Sequence, residues 1–208
     1  MRMIMLLSIG LSVLMNQALA APTTEEVLEA YIEATGGREV QMGVESYMRT
    51  GTLAVQEMGI RAKLLSFGTK KAYKQTVTVP GIGAVIQGIH EGVVWQNHFI
   101  EGNSIFTGKK ALDVQRQAVL NPWLDWKRFY ASAEIQVSVD GEYPIVLTSK
   151  IAGGAETIAY FDEESSLLNR LETLGENQLP ATYVYSDYRE VKGIRMAHHL
   201  SIQGDMNV

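Results

Sequence analysis

Four histidines, His90, His98, His198 and His199, are the side chains best suited to proton transfer or metal binding near neutral pH. Their spacing serves neither. His198 and His199 are adjacent on an expected strand, so their imidazoles point to opposite faces and do not grip one ion. His198 shares a face with Ile194, Met196, Leu200 and Ile202, the setting of a core or cavity-rim imidazole. The acids a fold would have to bring to a histidine are Glu91, next to His90, and Asp187, which sits with Arg189 and Glu190 in what reads most simply as a solvated salt bridge. There is no Gly-x-Ser-x-Gly elbow, no His-Glu-x-x-His and no P-loop. Gly81-Ile82-Gly83 lacks the third glycine and the following helix of a dinucleotide fingerprint, and reads as a hairpin turn. The chain has no cysteine, which excludes disulfides, thiolate zinc sites and cysteine nucleophiles. The expectation is a protein with no catalytic residues, no metal and no cofactor. A small hydrolase built on His90 or His198 with Glu91 or Asp187 is the enzymatic alternative.

The elements that position these residues are mostly strands. Residues 47–56, 59–67, 72–79, 84–90 and 93–99 read as five strands separated by Glu57-Met58-Gly59, Gly68-Thr69-Lys70-Lys71, Pro80-Gly81-Ile82-Gly83 and Glu91-Gly92. Loops this short do not carry a parallel crossover, so successive strands pair antiparallel as a meander. Tyr73, Gln75, Val77 and Val79 share one face, whereas 84–89 is apolar on both faces apart from Gln87, as expected where a lid, a guest or covering helices meet the sheet.

At the amino terminus, Met1-Arg2-Met3, the apolar run 4–15 and Ala18-Leu19-Ala20 read as an export signal cleaved after Ala20 into the periplasm. That divides the chain into a signal, 1–20, and a single domain, 21–208. Thr23-Thr24-Glu25-Glu26 is a capping box with Thr23 as N-cap, and Gly36-Gly37 follows the last turn of a helix whose apolar stripe is Val27, Leu28, Tyr31 and Ile32. Net charge is −5 with no basic block, so nucleic acid is not an expected partner.

Residues 107–120 have helical spacing, Asn121-Pro122 breaks it, and 123–130 restarts a short helix with Trp126 and Phe129. This pair, placed between two groups of strands, is expected either to cover a concave sheet as a lid or to fill its core. Strands resume at Ala133, Ile135, Val137 and Val139, then 143–149, 156–161, 167–173, 181–190 and 194–203, punctuated by Asp140-Gly141, Gly153-Gly154, Gly175 and Lys192-Gly193. The expected architecture is mainly β (α+β): a single strongly curved antiparallel sheet, a half-closed barrel, with an N-terminal helix and a helical lid. The candidate lipid-contacting residues are Tyr73, Val77, Val79, Ile86, Trp95, Trp126, Phe129, Met196 and Leu200.

Three stretches carry a resemblance: Glu26-Val-Leu-Glu-Ala-Tyr-Ile-Glu-Ala-Thr-Gly-Gly37, Pro80-Gly-Ile-Gly-Ala-Val-Ile-Gln-Gly88 running to Gly92-Val-Val-Trp95, and Tyr185-Ser-Asp-Tyr-Arg-Glu-Val-Lys-Gly-Ile194. In order and spacing the chain resembles the outer-membrane lipoprotein-sorting proteins, the LolA-like carriers. The resemblance implies a monomeric, non-catalytic carrier of lipid or lipoprotein acyl chains, exchanging cargo with membrane-associated donor and acceptor proteins. It yields no match for the family's lid-latching Arg. The chain also ends at Val208, where such proteins usually continue into a further strand and tail; it reads as a shortened member or a truncated chain, with an open sheet edge. That edge motivates a second alternative, an envelope adaptor that binds a partner by strand addition.

Overall fold

Thr23 caps the first helix as its spacing predicts: in a computed structural model its hydroxyl accepts from the Glu26 amide while the Glu26 carboxylate accepts from the Thr23 amide, and α1 runs Thr24–Ala34. Residues 21–55, 60–152, 154–174 and 179–204 are described. The export signal, the turn at 57–59, Gly153, Gly175 and the chain end at 205–208 lie outside the described residues. A short second helix, α2 (Arg38–Met42), follows Gly37 and was not expected.

Among the described residues twelve strands follow: β1 (Ser46–Val55), β2 (Ile60–Thr69), β3 (Tyr73–Val79), β4 (Gly83–His90), β5 (Val93–His98), β6 (Gly102–Phe106), β7 (Tyr130–Ile135), β8 (Glu142–Ser149), β9 (Thr157–Asp162), β10 (Leu168–Leu174), β11 (Pro180–Val191) and β12 (Ile194–Gly204). All pairs are antiparallel. The turns obey their chemistry. Glu91-Gly92, Asp140-Gly141 and Lys192-Gly193 each place two successive residues at positive φ, the primed turn whose twist matches a hairpin.

The expected single sheet is corrected to two. β1–β6 form one six-stranded meander and β7–β12 another. The ladder breaks where the chain leaves β6 for α3 (Gly108–Gln117) and a 3₁₀ helix (Pro122–Arg128) before returning at β7. These two helical pieces belong to different sheets. α3 packs on β4 and β5, with Val114 against Tyr73 and Val94; the 3₁₀ helix packs on β7 and α1. Chain continuity therefore runs from one sheet to the other through helix rather than through strand pairing. A second correction is local: β7 stops at Ile135, and Val137, expected to continue it inward, is 86% exposed.

The larger core lies between α1, the 3₁₀ helix and the second sheet. Val27, Leu28, Trp123, Phe129, Ile145, Leu147, Ala159 and Phe161 are all buried there, and Tyr31 and Trp123 each meet the Phe161 ring edge-on at 5.3 Å. The end of α1 is tied to the β11–β12 turn: the Arg195 amide donates to the Thr35 carbonyl at 3.1 Å, and a Cβ on Gly36 would stand 2.1 Å from the Gly193 oxygen, so only glycine permits the approach. No helix among the described residues is long and apolar enough to cross a membrane.

Candidate functional site: two cavities either side of a pinned connector

Residues 118–121, which join α3 to the 3₁₀ helix, form with its first residue Pro122 a connector that walls off two cavities; Val119, Leu120, Asn121 and Pro122 line both. The first cavity, about 260 Å³, lies between α1, the end of α3 and strands β10, β11 and β12. Its lining is mostly apolar or aromatic, with Tyr31, Trp123, Tyr130, Leu168, Leu171, Tyr185, Tyr188 and Met196, and two guanidiniums, Arg49 and Arg116, at one side. The second, about 270 Å³, opens between α2 and the start of β1, lined by Met42, Val44, Tyr47, Leu124 and Phe129 among others.

Four side chains hold the connector and its flanks by their backbone or amide groups. The Tyr47 hydroxyl donates to the Ala118 carbonyl at 2.7 Å. Arg49 Nη2 donates to the Gln117 carbonyl at 3.0 Å and to the Tyr47 hydroxyl at 3.1 Å. Arg38 Nη1 donates to the Leu124 carbonyl at 3.0 Å, and buried Asn121 donates to Gln41 at 2.7 Å while its own Oδ1 caps Trp123. Bonds of this kind are worth about 0.5–1.5 kcal/mol each net of water. Together they keep the connector in place. Arg116 adds a bond to the Tyr130 hydroxyl at 2.7 Å, anchoring α3 to the second sheet.

The aromatic floor depends on one strained residue. Asp187 sits at φ 55, which interrupts the alternation of β11, so that Tyr185 and Tyr188, three positions apart, both line the first cavity. Burial pushes the Tyr185 phenol up to about 12, and the Tyr31 and Tyr188 phenols are raised for the same reason. These hydroxyls stay neutral at physiological pH. The Tyr188 hydroxyl donates to the Leu168 carbonyl at 2.7 Å.

On the face of the first sheet that α3 covers, register sets Arg49, Ser66, Gln75, Gln87, Gln96 and Ser104 in one polar row across all six strands. Gln87 donates to Gln75 at 2.8 Å and to Gln117 at 3.1 Å. The row separates the apolar contacts beneath α3 from a second apolar row, Leu64, Val77 and Val85.

The nine residues singled out in the sequence do not form one surface. Met196 lines the first cavity and Phe129 the second. Phe129 is 2% exposed within the larger core, with Trp126 packed against it. Tyr73 is buried under α3, and its hydroxyl finds no well-formed hydrogen-bond partner among the described residues. Val77 and Val79 lie on the same face as Tyr73, beyond the polar row. Ile86 and Trp95 fall on the opposite face by register, and Leu200 is 49% exposed on β12. Sequence reading missed Tyr31, Arg49, Leu171, Tyr185 and Tyr188 as cavity residues; only Tyr31 had a signal, its place on the apolar stripe of α1.

Among the described residues no hydrogen bond joins an imidazole to a carboxylate, and no group of three His, Asp or Glu could hold a metal ion. Asp187 is instead bound by Arg189 at 2.6 and 2.8 Å, which holds its carboxyl below the usual range. His98 Nδ1 accepts from the Ile100 and Glu101 amides.

Two antiparallel meanders linked through helices, with cavities where helices and sheets meet, constitute the LolA-like fold. No protein-family model matches the chain, and no curated protein matches it. Among solved structures it is similar to a LolA superfamily protein from Nitrosomonas europaea, with 11% identity and a TM-score of 0.58 over 90% of this chain and 88% of that one. It is also similar to a putative outer membrane lipoprotein-sorting protein domain from Vibrio parahaemolyticus, with 13% identity and a TM-score of 0.52 over 87% of this chain and 86% of that one. The likeness noted in the sequence motifs thus extends to the fold of nearly the whole domain.

Proposed function

We propose that the protein is a non-catalytic periplasmic carrier that shelters an acyl chain of a lipid or lipoprotein between its two sheets. The observation that carries this reading is the pinned connector between a largely apolar cavity on one side and, on the other, a cavity whose apolar residues stand beside the charged Glu45, Lys70, Asp125 and Arg128. Sites for drug-sized ligands have volumes of about 300–1,000 Å³. Each cavity is smaller than that, at about 260 and 270 Å³, and displacing residues 118–122 joins them into a space of the right size. In this reading the two sheets are the walls of a half-closed barrel, and α3 with the connector is its lid, latched by Tyr47 and Arg49. Leu171, Tyr185 and Met196 contact the chain first; Val77, Val79 and Leu200 do so once the lid moves.

Energetics suit a carrier. Burying about fourteen methylenes gains roughly 11 kcal/mol, against roughly 4–15 kcal/mol for association and the cost of opening the lid. The result is binding weak enough to release cargo. The fold likeness to a protein described as a lipoprotein-sorting domain supports a lipoprotein or lipid cargo passed between membrane-associated donors and acceptors. The signal-like residues 1–20 support export. Titration with an environment-sensitive fluorescent fatty acid, competed by phospholipid, tests the reading: saturable, displaceable binding supports it, and no binding by delipidated protein refutes it.

A further inference from the structure

α3 packs on one face of the first sheet, and among the described residues no helix packs substantially on the other. Strand register places a row on that open face: Met48, Phe67, Lys74, Gly88, Trp95 and Ile105. Met48 is 63%, Phe67 46% and Ile105 65% exposed, far above the few percent typical of the two cores. Trp95 lies over Gly88, where a Cβ would stand 2.8 Å from the indole; the missing side chain lets the ring lie along the sheet. Adjacent rows add exposed Leu65 and the cations Lys63 and Arg61.

The charge on this face is one-signed. Register assigns it Arg61, Lys63, Lys74 and His90 and no Asp or Glu, although the whole chain carries −5. Among the described residues none of the three cations makes an ion pair.

We propose that this face docks on an anionic lipid bilayer. Exposed Phe, Met and Ile side chains and a half-buried Trp partition into the interfacial layer, Trp especially so, while lysine stems lie along the apolar surface and raise their ammonium groups to lipid phosphates. The position of Lys74 decides between a membrane and a protein partner. It stands inside the apolar row, between Phe67 and Gly88 with its overlying Trp95. Packed protein interfaces exclude lysine from their centres, whereas a fluid headgroup layer accommodates it. The surface is separate from the cavities, so docking leaves the lid side facing away from the bilayer contact.

The test is flotation of the full mature protein with vesicles of phosphatidylglycerol and phosphatidylcholine, against vesicles of phosphatidylcholine alone, at low and high salt. The expected result is binding to the anionic vesicles only, weakened by salt, reduced about tenfold or more by the double change Lys63→Glu and Lys74→Glu, and reduced also by Ile105→Ser. Both lysines are exposed, so the charge variant keeps its fold, and native mass spectrometry of the same sample should show its cargo unchanged. The proposal is overturned if the protein fails to float with anionic vesicles, if it binds neutral vesicles equally well, or if the charge reversals have no effect. Retention on an immobilised acidic polypeptide without flotation likewise overturns it and assigns the face to a protein. Any of these leaves the cargo reading untouched.

Discussion

Arg49, on β1, donates a hydrogen bond to the backbone carbonyl of Gln117 at the end of α3, 3.0 Å away and 68 residues along the chain. The same guanidinium lies over the Tyr47 ring, 4.7 Å from its centre, and Tyr47 in turn bonds to Ala118. Two neighbouring residues of an edge strand thus hold the last turn of the helix that closes the first sheet. Arg49→Ala should therefore speed hydrogen exchange in residues 108–122, by about tenfold for a lost bond of roughly 1–1.5 kcal/mol. Exchange in β8 and β9 should stay as it was. Uniform acceleration through both sheets would mean Arg49 supports global stability rather than the local hold on α3 and the connector.

Phe129 and Trp126 separate packing from lid function. Phe129, at 2% exposed, should cost about 3–5 kcal/mol on truncation to Ala, seen as a large drop in melting temperature. Trp126 is only partly buried, so Trp126→Ala should lower stability less. If Trp126→Ala nevertheless accelerates loss of bound lipid, the 3₁₀ helix takes part in retaining cargo beside the proposed lid; unchanged retention makes it a packing residue.

Filling the first cavity should abolish binding without unfolding the protein. Met196→Trp projects a larger side chain into a space of about 260 Å³ beside Leu171 and Tyr185. The expected outcome is at least a tenfold loss of fatty-acid affinity with a stability change under about 3 kcal/mol. Full affinity in a folded variant would place the cargo elsewhere.

How much of this was legible beforehand differs by element. The capping box at Thr23, the glycines after α1 and the Asp-Gly, Glu-Gly and Lys-Gly turns are local signals, and the structure keeps them within a residue or two. β6 was missed because Gly102-Asn103-Ser104 has poor strand propensity and only Ile105 and Phe106 favour it. The division into two sheets was invisible because strand spacing specifies sequential neighbours, not whether pairing continues across a helical insertion. The connector's latch was invisible for a similar reason. Arg49 and Tyr47 bind backbone carbonyls, which every sequence has, so no partner residue announces the contact. Tyr185 and Tyr188, three positions apart, face one cavity only because Asp187 adopts a positive φ, which no residue pattern announces.

The buried phenols set an alkaline limit. Burial raises the folded Tyr185 pKa to about 12, above the unfolded value near 10, so its contribution is fully present below pH 10 and is lost as pH rises from there toward 12. Tyr31 and Tyr188 are shifted the same way. Unfolding monitored by circular dichroism should therefore coincide with tyrosinate absorbance above pH 10, and Tyr185→Phe should move the alkaline midpoint upward. Smooth titration of these phenols in a folded protein near pH 10 would show that the cavity is wet.

The carrier reading is tested most directly by native mass spectrometry of the protein purified without detergent, with lipid analysis of the organic extract. The account predicts discrete mass increments of acyl-chain or phospholipid size, reduced in Met196→Trp. A protein that is empty on isolation and stays empty after incubation with phospholipid, lipoprotein and fatty acid would contradict it.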